Sequence, residues 1–145
     1  MDWRSYLSEL GPTISLREPA SSEAVLELRS DLGHGLSPEL ESLLVQSNGV
    51  LGEYDLDLVW PTSRIKSDNQ LFRANADFRE LYMPFDSLLF FGDAGNGDQF
   101  AFPVLAGQVR RSDVFVWNHE DDSRTWIASS LHQFLEWWVS AKIKV

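Results

Sequence analysis

A chain of 145 residues with 43% apolar and 12% aromatic side chains has material for one sizeable core, and no interior linker divides it, so a single domain over 1–145 is expected. It has no cysteine, which excludes disulfides and thiolate metal sites. Twelve basic against 22 acidic residues leave a formal net charge of −10, which disfavours nucleic acid and anionic membrane as partners and favours a basic protein.

The first residues, Met1-Asp2-Trp3-Arg4-Ser5-Tyr6, lack the basic start and apolar run of a signal peptide. No apolar stretch approaches the ~18 residues of a membrane helix. A cytoplasmic location is expected.

Trp3, Tyr6, Leu7 and Leu10 recur at helical spacing, with Asp2 as a cap and Gly11-Pro12 as the stop. A second helix begins after Ser21-Ser22, carries Val25, Leu28 and Leu32 on one face, and ends at Gly33-His34-Gly35. Ser37 and Pro38 then open a third, with Glu39 and Glu41 at the positive end of its dipole. Leu40, Leu43 and Leu44 form its buried stripe, and Asn48-Gly49 supplies the turn.

From Glu53 the period becomes two: Tyr54, Leu56, Leu58 and Trp60 face one way, and Glu53, Asp55 and Asp57 the other. Pro61 ends that strand. A helix with Ile65, Leu71 and Phe72 follows, then a less regular stretch to Met83-Pro84. Strands are expected at Leu88–Phe91, Phe100–Phe102, from Val109, at Val114–Trp117 and at Trp126–Ala128. Ser130 and Gln133 form a capping box for a last helix with Leu131, Phe134, Leu135, Trp138 and Ala141 on its apolar face. Helices, a largely antiparallel sheet of five to six strands and a closing helix make an α+β arrangement.

Three stretches carry a resemblance. Ser37-Pro38-Glu39-Leu40 running into Gln46-Ser47-Asn48-Gly49, the turn Phe91-Gly92-Asp93-Ala94-Gly95-Asn96-Gly97-Asp98, and Val116-Trp117-Asn118-His119-Glu120 followed by Ile127 to Leu135 resemble successive motifs of the SUKH superfamily. The matching region runs over about residues 36–139, with residues 1–35 preceding it. The resemblance implies a non-enzymatic domain without a cofactor. It is akin to immunity proteins that neutralise bacterial toxins of polymorphic systems, and to the fungal cell-wall assembly regulators.

Segments 51–61, 84–108 and 117–123 hold nine acidic residues and no Lys or Arg: Glu53, Asp55, Asp57, Asp86, Asp93, Asp98, Glu120, Asp121 and Asp122. Carboxylates two apart on a strand stand ~7 Å from each other and repel by roughly 0.6 kcal/mol in water, a cost a solvated face tolerates. Should these segments converge, they make a negative surface to which a cationic toxin is steered. The partner-binding candidates are Glu53, Asp55, Asp57, Asp93, Asp98, Glu120, Asp121 and Asp122, with Trp117 as anchor.

The Gly92–Asp98 turn admits a phosphate cradle, a calcium loop or a plain inter-strand connection. Its two aspartates oppose an anion, and it lacks the D-x-D-x-D-G pattern, so a connection needing positive φ is simplest. His119, beside Glu120, Asp121 and Asp122, is a candidate acid–base or metal residue, although no second His stands at ligand spacing. Nucleophile-elbow, Walker A, Rossmann and H-E-x-x-H motifs are absent. No catalytic residue and no metal ligand are assigned. A regulatory scaffold and a His119-dependent hydrolase stand as alternatives to the immunity reading.

Overall fold

Six helices and seven strands make up the computed structural model, which describes all 145 residues. Helix α1 (Trp3–Leu10) starts where the Asp2 carboxylate accepts the Ser5 N–H, and it buries Trp3 and Leu7. After the short strand β1 (Ser15–Leu16), α2 (Ser22–Leu32) runs from a Ser21 cap to Gly33, which takes the left-handed conformation at φ 77°. Helix α3 (Pro38–Leu44) opens on Ser37, whose hydroxyl accepts the Leu40 N–H at 3.4 Å.

The residues after α3 knit three parts of the chain. Gln46 accepts the Trp3 N–H at 2.6 Å and donates to the Met1 carbonyl at 2.7 Å. Buried Ser47 accepts the Arg17 N–H and donates to the Gly49 carbonyl. Asn48 accepts the Thr62 N–H at 2.8 Å, anchoring the start of the next helix. A motif of polar residues thus satisfies backbone groups that its own helix does not reach.

Strands β2 (Val50–Leu51) and β3 (Asp57–Val59) complete a three-stranded antiparallel sheet in the order β1-β2-β3. The expected strand from Glu53 is corrected here. Because Leu51 pairs with Asp57, the chain must reverse between them, and Glu53–Asp55 forms a 3-10 turn with Tyr54 and Asp55 at φ 59° and 58°. The apparent period of two therefore spans a reversal, and only Leu58 and Trp60 of the inner set are buried. Helix α4 (Thr62–Ala74) buries Ile65 and packs Phe72, whereas Leu71 is exposed. The stretch expected to be irregular contains α5 (Ala76–Leu81), capped by Asn75, and a 3-10 turn at Phe85–Ser87.

Strands β4 (Leu88–Asp93), β5 (Gln99–Pro103), β6 (Val114–Trp117) and β7 (Arg124–Ala128) form an antiparallel meander in that order. The fold is α+β, with seven strands in two sheets instead of five or six in one. Val109 begins no strand but is buried beside the Leu105–Gln108 bridge. The sheets meet where the Trp60 N–H donates to the Phe91 carbonyl at 2.7 Å. Glycine is required at 92, because a Cβ there would overlap the Leu58 carbonyl.

Helix α6 (Leu131–Val139) covers one face of the meander, where Phe134 packs on Phe91 and Phe100, and Phe91 stacks on Phe102. Ser130 caps it, while Gln133 reaches back to the Ser129 N–H and not to that of Ser130. Glu39 of α3 accepts the Leu131 and His132 N–H groups, a long-range anionic cap on the same helix end. The helix stops before Ala141, which is exposed at φ 62° and does not extend the apolar face. On the other face α4 and α5 contribute Phe72 and Phe78 to a cluster with Tyr82, Phe85, Phe90 and Trp117. Asn69 locks α4 to β4: its amide accepts the Phe90 N–H at 2.8 Å and donates to the Phe90 carbonyl at 2.9 Å. No helix is long and apolar enough to cross a membrane.

Candidate functional site

The acidic candidates separate into an inner, compensated set and an outer, free set. Asp57 lies within 3.3 Å of both Arg17 and Arg64. Asp93 receives a bidentate clamp from Arg64 at 2.6 and 3.0 Å, and the same guanidinium reaches Asp68 at 3.0 Å and lies 4.1 Å over the Trp60 ring. Asp98 is buried, accepting the His119 N–H at 3.1 Å and its Nδ1 at 2.7 Å. Asp122 accepts the Met83 N–H, the Trp117 indole N–H at 2.7 Å and an Arg124 N–H. Burial alone raises its pKa, but these three donors outweigh it and hold the carboxyl below its ordinary range.

Glu53, Asp55, Glu120 and Asp121 are exposed, and no Lys or Arg lies within salt-bridge distance of any of them. Asp121 accepts the Ser123 N–H, which lowers its pKa and keeps it ionised. Of the three loops bearing the acidic residues, the 93–98 loop adjoins each of the other two. Arg64 ties the 53–57 turn to the end of β4, and Gly95 faces Leu56 with room only for an ordinary contact. Gly97, at φ 97°, lies so close to the His119 ring that a Cβ would overlap it. The structure thus brings 53–57, 93–98 and 118–122 together and sets Asp86 apart, beside α5.

The period of two predicts Tyr54 on the inner face with Leu58 and Trp60, and the structure turns it outward. It is 94% exposed on the tip of the 53–55 turn, between the two free carboxylates Glu53 and Asp55. Its left-handed backbone costs roughly 1–2 kcal/mol relative to an ordinary conformation. Trp117 is the reverse case: its ring is buried against Phe72, Tyr82, Phe85 and Phe90, so it offers no anchoring surface. The other tryptophan bordering the loop, Trp126, is half exposed on β7, its indole N–H donated to Asp113 at 2.9 Å.

The Asp98–His119 pair fixes the imidazole with Nδ1 donating to the carboxylate. Such a pair orients a base, but no hydroxyl or thiol bonds to the ring, and Gly97 crowds its free edge. No three His, Cys, Asp or Glu side chains converge at metal-holding distances. The pair ties the β4–β5 loop to the β6–β7 loop. Sequence reasoning missed Arg17, Arg64 and Arg124, which come from outside the acidic segments, and Tyr54. A glycine at 52 followed by three residues before Leu56 was the available sign of a reversal.

The model of the SUKH_6 family, described as SMI1-KNR4 cell-wall, matches residues 22–135 of this chain. No curated protein matches it.

Proposed function

Since the chain belongs to the SUKH_6 family of SMI1-KNR4 proteins, we propose that it is a protein-binding domain of the immunity type, which holds a cationic toxin against the rim of the three adjoining loops. The observation that carries this reading is the set Glu53, Asp55, Glu120 and Asp121, exposed without compensating cations on two loops that both adjoin the 93–98 loop. Tyr54, standing out between two of these carboxylates, is the anchor: a rigid aromatic ring that can lie over an arginine or lysine. Asp57, Asp93, Asp98 and Asp122 act behind them by holding the loops. Binding blocks the toxin sterically, with no covalent step and no cofactor.

Association steered in this way slows as ionic strength rises. The test is capture of partners at low and high salt, followed by on-rates for the captured protein. Glu120→Lys with Asp121→Lys should slow association by about ten-fold or more. An on-rate indifferent to both salt and charge reversal would refute the acidic interface. The matched family's cell-wall description favours a second reading, a regulatory scaffold whose partner is a protein of the same cell. Neutralisation of a co-expressed toxin encoded beside this chain separates the two.

A further inference from the structure

We propose that the concavity between α4, α5 and the Phe85–Ser87 turn is a binding site for a small monocarboxylate with an aromatic or apolar body. Its volume is about 190 Å³, and Phe72, Phe78 and Phe85 form an apolar wall. Two guanidiniums, Arg73 and Arg79, one carboxylate, Asp86, and the Met83-Pro84 segment line the rest.

Arg73 is the informative residue. Its Nη2 donates to the Leu88 carbonyl and to His34 Nε2, each at 2.9 Å, and both acceptors are neutral. Its Nε–H is buried with no partner, and it makes no salt bridge. Burial pushes its pKa down, and Asp86 is the one charge that opposes the shift. The Arg79 side chain, exposed on α5, has neither hydrogen bond nor ion pair. In a chain of net charge −10, this hollow carries a local excess of positive charge next to apolar surface.

A carboxylate in the hollow supplies the anionic partner that Arg73 lacks, meeting the part of the guanidinium that lines the hollow and not the sealed Nε–H. The aromatic wall rewards an apolar body. Asp86 penalises a second negative charge, which selects a monoanion over a phosphate. The enclosed volume suits a free acid of phenylacetate size, not a peptide.

The site is independent of the acidic rim and is tested with phenylacetate by amide-resolved NMR titration. Saturable shifts confined to residues around Phe78, Arg79 and Phe85 are expected. Arg79→Glu should weaken binding by about ten-fold or more, and Asp86→Asn should tighten it by about two-fold or more. Both positions are exposed and free of ion pairs, so these variants fold and the opposite signs are diagnostic. Phenethylamine, with the same ring and the opposite charge, should bind more weakly than phenylacetate. The proposal is overturned by absence of saturable shifts, by equal binding of the amine, by Asp86→Asn weakening the acid, or by acetyl-Gly-Gly-Phe binding more tightly than phenylacetate.

Discussion

Replacing Arg64 by Met removes one guanidinium that serves three carboxylates. The loss has three parts. The clamp on Asp93 is charge-assisted and bidentate, of a type worth roughly 1.5–3 kcal/mol, but the groups are a quarter to a third exposed, which brings it to about 1 kcal/mol. Stacking over Trp60 adds about 0.5 kcal/mol. Asp57 and Asp93 both lie on the same Nη1, so their nearest oxygens are within about 6 Å. Without the cation they repel by roughly 0.7 kcal/mol in a water-like medium and about 2.8 kcal/mol at an effective dielectric of ~20. Taking the middle of that range, Arg64→Met should destabilise by about 3 kcal/mol, lowering Tm by roughly 6–12 °C for a chain of this size.

Urea unfolding of the single and double variants measures the effect. Asp93→Asn should destabilise the wild type, where it breaks the clamp, and stabilise Arg64→Met, where it relieves repulsion. A loss below about 1 kcal/mol for Arg64→Met, or the same sign for Asp93→Asn in both backgrounds, would refute the account of Arg64 as the hub of the loops.

Tyr54→Gly should raise stability by up to about 1 kcal/mol, because glycine adopts φ 59° without strain, while weakening partner binding; calorimetry and binding on one preparation check both. Asn69→Leu should cost about 2–4 kcal/mol in urea unfolding, leaving the Phe90 N–H and the Phe90 and Ile65 carbonyls without their amide partner. His34 accepts a hydrogen bond from Arg73 at Nε2 and is held neutral: burial pushes its pKa below the ordinary 6.5, the Gly35 carbonyl opposes the shift, and the Arg73 guanidinium adds to it. The unfolded chain therefore binds the proton more readily. His34's stabilisation is complete above about pH 6.5 and is lost as pH falls through that value toward its folded pKa. His34→Gln should flatten this slope in unfolding curves taken from about pH 7 to about pH 5.

Some of the molecule is written in near-neighbour signals. Ser37-Pro38 starts a helix because a hydroxyl and a missing N–H suit the first turn whatever surrounds them, and Ser130 caps α6 for the same reason. The meander from Leu88 to Ala128 follows from short apolar runs divided by turn residues. The ordered motifs from Ser37 to Leu135 carry the family, and 22–135 is the span the family model matches. Local sterics and backbone hydrogen bonding act over a few residues, so the linear order retains them.

The candidate site lay largely beyond such signals. Three acidic segments without a basic residue read as a bare negative surface should they converge, yet Arg64 pairs with Asp93 across 29 positions and Arg17 with Asp57 across 40. Coulomb attraction depends on distance through space, and that distance is set only when β3, α4 and β4 pack. The same packing decided which ring is buried. Leu51 pairing with Asp57 forced a reversal that turned Tyr54 outward, while Trp117 closed the cluster over α4. The sequence by itself determined five of the six helices, the strands of the meander, the fold class and the net negative charge. Which carboxylates stay free, and which aromatic stands among them, was decided by tertiary structure, because compensation and burial belong to neighbours in space.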